Sequence, residues 1–289
     1  MQVTELNNLI EILDAHIINK NIPVNIQDIG ALRFVPPPDL LGTEGPFSET
    51  WAHKQMALFR MITGSDYDSS MEGHKIDVRR AAEKPFPYYM ASTNEIGYWL
   101  TVVGHLMQVM ALRRGARVLE IGFGYGFITE ALVRAGLHVD AIDVSPSFCE
   151  LLDLRLQPYN SSFRIFNMDF DDYYTDHKYD AVLFFESFHH MDAHFQAALK
   201  AKSLLKGKES TVVFGAEPIV GDNDPVVPYP WGLRMDGRSL LTVRKNGWME
   251  IGFRESYFRE MLGKAGFSFE KVWLSGYHHS VVFMAQSVS

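Results

Sequence analysis

The sequence predicts an α/β fold, a doubly wound and mostly parallel seven-stranded sheet with a terminal antiparallel strand. Three observations support this fold class. From about residue 94 the chain alternates helical segments with short apolar runs, as parallel strands buried on both faces do. A glycine-rich loop follows one of these runs and opens a helix. Only GYHH separates the last two apolar runs, and so short a connection requires an antiparallel pair.

The elements follow in order along the chain. The strands are predicted at RVLEIGFG, HVDAID, FRIFNMD, YDAVLFF, STVVFGA, FEKVWLS and SVVFMAQ. Helices are predicted at about 95–112, 127–136, 147–155, 193–205 and 253–265. Together they form a core over residues 93–289, interrupted by an irregular insertion at about 217–250. Residues 1–92 are predicted to be a helical and loop-rich cap, with helices over about 2–20 and from about Ser48, that acts as a substrate lid.

Composition narrows the class of protein. The 289 residues are 47% hydrophobic and 21% charged, which is typical of a soluble globular chain. A net charge of −8 argues against a protein that binds nucleic acid. The single cysteine, Cys149, excludes an internal disulfide and a cysteine-based zinc site. No membrane span and no signal peptide are evident, so we expect a cytoplasmic protein, and a homodimer is compatible with this.

The glycine loop lies in VLEIGFGYGF, where Gly122, Gly124 and Gly126 separate a buried strand from a helix. Glycines let the backbone approach a ligand closely, and the helix N-terminus offers unpaired amides. Two classes of cofactor use such a turn. The dinucleotide fingerprint G-x-G-x-x-G would need glycine where this chain has Phe127.

The stretch VLEIGFGYG resembles the first motif of the class I S-adenosylmethionine-dependent methyltransferases. That motif is an apolar strand, an acidic residue (here Glu120) and then G-x-G-x-G. The resemblance covers about residues 94 to 289. It implies a Rossmann-like methyltransferase fold, with S-adenosylmethionine as the cofactor. The cofactor-binding residues that it implies are Glu120, Gly122, Gly124, Gly126, Asp143, Asp169 and Phe170.

Each acidic residue has an implied partner on the cofactor. Glu120 would face the methionine end, although it could merely satisfy backbone amides in the turn. Asp143 would bind the ribose hydroxyls, because a carboxylate accepts two hydrogen bonds. Asp169 and Phe170 would hold the adenine, with Asp171 or Asp172 as alternatives to Asp169.

The stretch FFESFHHMDAH follows the fourth strand and supplies the candidate catalytic residues Glu186, His189 and His190. In parallel α/β sheets the ligand lies beyond the carboxyl ends of the strands. His190 is favoured as a general base for a hydroxyl acceptor, because imidazole titrates near pH ~6.5. Packing without chemistry remains the alternative for either histidine. The turn before the last strand should bring His278 and His279 to the same edge.

No metal is predicted. Magnesium prefers carboxylates and water, so a histidine-rich loop suits it poorly. Zinc would tolerate His189, His190 and His194, but three ligands so close in one loop require unusual geometry.

The acceptor site is predicted to come from the appended segments, through Tyr89, Trp231 and Arg234, and from His278 in the turn before the last strand. Aromatic faces beside arginine suit a sugar ring or an anionic small molecule. The stretches YPWGLRMDG and NGWMEIGF resemble methyltransferases of bacterial polysaccharide or natural-product biosynthesis.

The predicted function is O-methylation of a hydroxyl on a small molecule or glycan. N-methylation of an amine or guanidine is the alternative within the family. A non-catalytic S-adenosylmethionine-binding protein on the same fold is the alternative from another class. An aminopropyl transferase is disfavoured because no acidic gate motif follows the fourth strand.

Overall fold

The computed structural model describes residues 1–18, 29–41, 44–73, 75–84, 92–159 and 162–288, and they form two compact units. The first unit contains Met1–Glu72, His189–Asp192 and Pro218–Glu260. The second contains Gly73–Phe188, Ala193–Glu217 and Met261–Ser289. The unit boundary therefore differs from the domain boundary predicted at residue 92. The predicted insertion belongs with the N-terminal residues, not with the sheet.

The elements are numbered along the chain. The strands are β1 (Gln2–Val3), β2 (Arg33–Phe34), β3 (Arg117–Ile121), β4 (His138–Asp143), β5 (Phe163–Asn167), β6 (Ala181–Phe185), β7 (Thr211–Gly215), β8 (Ile219–Val220), β9 (Trp231–Leu233), β10 (Ile251–Arg254), β11 (Phe267–Val272) and β12 (Val282–Ser287). The helices are α1 (Leu6–Ile18), α2 (Pro38–Leu41), α3 (Glu49–Thr63), α4 (Val78–Ala82), α5 (Thr93–Met110), α6 (Phe127–Arg134), α7 (Pro146–Leu156), α8 (His194–Ser203), α9 (Gly237–Asn246) and α10 (Glu255–Lys264). Within the described ranges, no helix has both the length and the apolar character needed to cross a bilayer.

The second unit is built on a seven-stranded sheet in the order β11-β12-β7-β6-β3-β4-β5. Neighbouring strands are parallel throughout, except that β12 runs antiparallel to β7 and β11. This arrangement confirms the predicted fold class, including the antiparallel strand near the chain end.

Burial explains why the central strands are apolar along their whole length. Every residue of β6 and of β7 is buried, and Phe184 stacks on Phe214 between them at 5.5 Å. Strands β5 and β11 form the two edges and are only partly buried. The parallel strands of the sheet present their carboxyl ends at one edge, where the loops after β3, β4, β6 and β7 meet.

Helix α5 leads into this sheet and begins at a capping box. The Ser92 side chain accepts the Glu95 amide, and the Glu95 carboxylate accepts the Ser92 amide, both at 3.2 Å. The helix packs against α6 and β12. This position brings Tyr98 and Trp99 toward the link between the last two strands.

The link between β11 and β12 is longer than the four residues expected, because β11 ends at Val272 and β12 begins at Val282. It contains a 3-10 turn over His278–Ser280, and the buried Ser280 hydroxyl bonds to backbone carbonyls within the link. Val282 pairs with Gly215, the last residue of β7. The link therefore emerges at the carboxyl edge, as predicted.

The first unit contains two small sheets, β1-β2 and β8-β10-β9, and the helix expected from Ser48. That helix, α3, packs against the insertion: the Trp51 indole donates to the Trp231 carbonyl at 2.9 Å, and the Gln55 side chain accepts the Leu233 amide at 3.2 Å. Arg244 of α9 makes a bidentate pair with Asp14 of α1. Residues far apart in sequence thus form one core.

Candidate active site

The glycine loop joins β3 to α6 with all three glycines in the left-handed region, at φ of 69°, 53° and 71°. A Cβ at Gly122 would lie 2.6 Å from the Ser187 Cβ, and one at Gly126 would lie 2.5 Å from a Leu152 methyl carbon. A Cβ at Gly124 would meet no atom within 4 Å. Packing therefore requires Gly122 and Gly126, whereas Gly124 borders a space that a ligand can fill.

Asp143, the last residue of β4, holds this loop. Its two carboxylate oxygens accept the backbone amides of Gly124 and Ser145, each at 2.8 Å. Burial raises the pKa of Asp143 to about 6, and the two backbone hydrogen bonds oppose that rise. At neutral pH the group is mainly a carboxylate beside the glycine loop, which fits a ligand that offers hydroxyl groups.

Glu120 lies on β3 directly before the loop and is buried. The Thr129 hydroxyl donates to its carboxyl group at 2.7 Å. Burial, with a smaller contribution from the nearby Asp143 charge, raises the pKa of Glu120 to about 8 against the lowering effect of the Thr129 hydrogen bond, so the group is mainly protonated at pH 7. A positive charge placed beside Glu120 would favour its ionised form, which fits the ammonium group of a methionine moiety.

The two residues predicted at the adenine differ in exposure. Asp169 is half-buried and accepts the Asp171 amide at 2.8 Å, at the start of a 3-10 turn after β5. Phe170 is 3% exposed and packs edge-on against Phe184, with the Lys200 ammonium 5.1 Å from its ring. The Phe170 ring therefore belongs to the core, and Asp169 is the more accessible of the two.

Two hydrogen-bonded links join the loops at the carboxyl edge. The Ser187 hydroxyl donates to the Ile121 carbonyl at 2.7 Å. The buried Glu217 carboxylate accepts the backbone amides of Ser187 and Phe188, each at 2.9 Å. The loops after β3, β6 and β7 thus form one connected surface. Sequence reasoning can place Glu217 at this edge but cannot assign it a role, because its partners are backbone groups distant in the chain.

Glu186 follows β6 in a left-handed conformation, with φ of 50°, and its carboxylate lies 3.4 Å from the His279 Nε2 atom. The Tyr98 hydroxyl lies 2.9 Å from His279 Nδ1, and the Trp99 ring lies 4.8 Å from the imidazole. His278 is exposed, so the predicted turn brings its second histidine to Glu186, not its first. The sequence identified the turn but could not distinguish the two adjacent rings.

His190 belongs to the first unit, where backbone and carboxylate groups fix its ring. Its Nδ1 lies 2.6 Å from the Met249 carbonyl and 3.4 Å from a Glu72 oxygen. A carbonyl only accepts, so Nδ1 carries the proton and Nε2 is the basic nitrogen. The Tyr67 hydroxyl donates to the His190 carbonyl at 2.9 Å. This is the tautomer that a general base would need.

His189 is buried beside a charged pair. Its Nε2 lies 3.9 Å from Glu250, which pairs with Arg234. Burial and the Arg234 charge hold the pKa of His189 well below its usual value of 6.5, so the ring is neutral. The Arg234 side chain, predicted to bind substrate, is engaged with Glu250.

Trp231, which was also predicted to bind substrate, is buried within the first unit. Trp231 is 4% exposed, and its indole donates to the Pro46 carbonyl at 3.2 Å. Its role in the structure is packing. Tyr89 lies outside the described residues.

Across the described part of the chain, His189, His190 and Glu250 form the set with metal-ligand chemistry, with candidate ligand atoms within 4.8 Å of one another. Arg234 pairs with the Glu250 oxygen that faces His189. The guanidinium thus supplies the positive charge that a cation would bring. The network is explained without an ion, and metal independence remains a prediction.

Comparison with known proteins supports the sequence motif. Residues 118–207 match the family model described as a methyltransferase domain. A stretch of 41 residues is 50% identical to the ubiquinone biosynthesis O-methyltransferase of Xylella fastidiosa strain 9a5c. That match spans 14% of this chain and only 17% of the relative.

Solved structures share the fold at low identity. Magnesium protoporphyrin IX methyltransferase from Synechocystis PCC 6803, with bound S-adenosylmethionine, has a TM-score of 0.50 and 15% identity, over 73% of this chain and 90% of that one. An O-methyltransferase family protein from Burkholderia thailandensis has a TM-score of 0.50 and 16% identity, over 68% of this chain and 59% of that one. The family model assigns residues 118–207 to a methyltransferase domain, and the glycine motif and the seven-stranded sheet agree with the fold of class I S-adenosylmethionine-dependent methyltransferases.

Proposed function

We propose that the protein transfers a methyl group from S-adenosylmethionine to a hydroxyl group of a small molecule or a glycan. The observation that carries the proposal is the Gly124 amide, held by the Asp143 carboxylate beside a space with no side chain. The Xylella fastidiosa relative, which matches this chain over 41 residues, is named as an O-methyltransferase, and this supports oxygen as the acceptor atom. Cytoplasmic location and a homodimer remain predictions.

Glu120, Gly124 and Asp143 are the proposed main contacts with the cofactor. When bound, S-adenosylmethionine supplies a methyl group on a sulfonium, which is already activated for transfer. The protein then has to hold the acceptor atom in line with the bond between the sulfur and the methyl group. Asp143 offers two carboxylate oxygens for vicinal hydroxyls, and the open side of Gly124 permits close approach of its backbone. Asp169 is proposed at the adenine.

His190 is the proposed general base for the acceptor hydroxyl. Its Nδ1 proton is held by the Met249 carbonyl and by Glu72, so its basic nitrogen is Nε2. His189 is neutral and buried, and its proposed contribution is to support the His190 ring, whose centroid lies 4.1 Å away. A base matters here because a sugar or alkyl hydroxyl is a poor nucleophile until its proton leaves.

The test combines binding with transfer. Calorimetry measures the affinity for S-adenosylmethionine, and methyl-tritiated cofactor with the small-molecule fraction of a cell extract measures transfer. We expect binding and labelled, base-stable methyl ethers in the wild type. Asp143→Asn should weaken binding about tenfold or more, because a charged hydrogen-bonding group is lost. Asp153→Asn, which removes an exposed carboxylate from α7, is the matched control and should bind normally.

The other outcomes distinguish the alternatives. Label on amines would replace the proposal with N-methylation. Binding without any transfer would favour a non-catalytic S-adenosylmethionine-binding protein. Absence of binding would overturn the cofactor assignment itself.

A further inference from the structure

We infer that Glu186 is the side chain that receives a hydrogen bond from the methyl acceptor, and that Tyr98 and His279 hold its carboxylate in position. This inference rests on the proposed function, since it concerns the acceptor of that reaction. All three residues lie in the second unit.

The backbone at Glu186 is the first step. Its φ of 50° lies in the left-handed region, which disfavours every residue with a Cβ relative to glycine. The conformation is imposed by neighbours: the Glu186 amide donates to the Gly215 carbonyl at 3.0 Å, and the next two amides donate to Glu217. Ala216, at the end of the adjacent strand, has a φ of 55°. Strained residues cluster at active sites and ligand-binding loops, and these two lie at the carboxyl edge, where parallel sheets bind ligands.

The side chain is the second step. Glu186 Oε1 lies 3.4 Å from His279 Nε2, with 43% of the glutamate side chain and 39% of the histidine side chain exposed. A pair exposed to this degree contributes little to folding. The carboxylate is therefore accessible to a ligand at the carboxyl edge, while one of its oxygens faces the imidazole.

The tautomer of His279 is the third step. The Tyr98 oxygen accepts the His279 backbone amide at 3.2 Å and lies 2.9 Å from His279 Nδ1. The Glu186 carboxylate, which faces Nε2 at 3.4 Å, can only accept, so Nε2 donates to it and Nδ1 accepts from the Tyr98 hydroxyl. Because Nδ1 accepts, the proton of the neutral ring resides on Nε2, the nitrogen nearest Glu186. Trp99 and Tyr98 pack against the imidazole and restrict its rotation.

The direction of these bonds assigns the roles. His279 presents a donor to Glu186, so it positions the carboxylate and is not the base. Glu186 in turn presents only acceptors to a ligand. The acceptor molecule should therefore place a donor there, which for the proposed function is a hydroxyl group beside the one that is methylated.

The test compares two matched pairs of variants. Tyr98→Phe removes the hydroxyl that orients His279, and Tyr277→Phe removes the hydroxyl of the ring stacked on Tyr98 at 5.1 Å. Glu186→Gln removes the charge, and Glu186→Gly removes the side chain while relieving the left-handed strain. Each variant is measured for ¹⁵N shifts of the His279 ring without cofactor, for calorimetric affinity for S-adenosylmethionine, for thermal unfolding, and for label transfer to the extract fraction.

We expect the wild-type ring to show a protonated Nε2, and Tyr98→Phe to shift toward a mixture of tautomers while Tyr277→Phe does not. Both Glu186 variants should lose label transfer about tenfold or more, with cofactor affinity within about twofold of wild type. The unfolding temperature of Glu186→Gly should be no lower than that of the wild type. If the Glu186 side chain served only to stabilise the fold, that temperature would fall.

Three results would overturn the inference: a wild-type ring protonated on Nδ1, full transfer in Glu186→Gln, or a marked loss of stability in Glu186→Gly. A wild type that neither binds S-adenosylmethionine nor transfers label would instead overturn the proposed function. The ring shifts still measure the Tyr98–His279 pairing in that case.

Discussion

The Gly124 backbone amide donates to the Asp143 carboxylate at 2.8 Å, so the end of β4 fixes the conformation of the loop after β3. The second oxygen of Asp143 holds the Ser145 amide at the start of α7. One side chain therefore connects two neighbouring loops. The glycine loop and the turn before α7 thus depend on the same carboxylate.

Gly124→Ala and Gly126→Ala should separate ligand space from packing space. Both place alanine in the left-handed region, which destabilises by about 1 kcal/mol. The Gly126 Cβ would in addition overlap Leu152, so Gly126→Ala should lose about 1–3 kcal/mol more. Urea unfolding measures these losses.

Affinity for S-adenosylmethionine should rank the two variants in the opposite order. The substitution that costs less stability, Gly124→Ala, should cost more affinity when both proteins are measured under conditions where they are folded. Gly124→Ala should bind more weakly, because its methyl group enters the space beside the Asp143-held amide. Equal affinity in Gly124→Ala and wild type would place the cofactor away from Gly124.

Glu120 should make stability depend on pH. Its pKa is about 8 in the folded protein and 4.5 as an ordinary glutamate, so between these values the folded state binds a proton that the unfolded state has released. The free energy of unfolding therefore falls as pH rises through this window, by up to about 1.4 kcal/mol per pH unit.

Glu120→Gln removes this titration and should have a shallower decline between pH 5 and pH 8, as measured by urea unfolding. Asp143 titrates in part of the same range and its charge acts on Glu120, so the difference between the two slopes measures Glu120 together with its coupling to Asp143. Identical slopes would show that Glu120 has an ordinary pKa.

His190→Gln should lower label transfer about 10²-fold, the usual contribution of a general base. His189→Gln should affect unfolding more than transfer, because His189 is buried and neutral. If both variants keep transfer within about tenfold of wild type, neither histidine acts as a base.

Removal of metal should leave transfer unchanged. Protein dialysed against a chelator is expected to keep its full rate, since Arg234 already neutralises Glu250 in the histidine network. A rate that falls on dialysis and returns with zinc or magnesium would assign His189, His190 and Glu250 to a metal site.

Most of the sheet was predictable because its information is local. Continuous apolar runs such as AVLFF mark strands buried on both faces, and the three glycines mark a turn that no other residue can adopt without strain. The direction of the last two strands followed from connection length alone. These patterns also located Asp143, since it ends a strand beside the glycine loop.

The first unit was not predictable in the same way, because its contacts join distant segments. Gln55 is a buried polar residue of α3, and its partner Leu233 is 178 residues away. Likewise, nothing near His279 in the sequence marks Tyr98 as its partner, 181 residues earlier. Pairings of this kind leave no periodic pattern, so they appear only in three dimensions.

The discontinuous first unit has a consequence for synthesis. Residues 1–72 leave the ribosome long before Pro218–Glu260, although Trp51, Gln55 and Asp14 find their partners in that later segment. The N-terminal segment therefore lacks these partners, and its apolar faces stay exposed, until about residue 260 has emerged. A nascent chain stalled before that point should be sensitive to proteases in its first 72 residues and should be a client for chaperones.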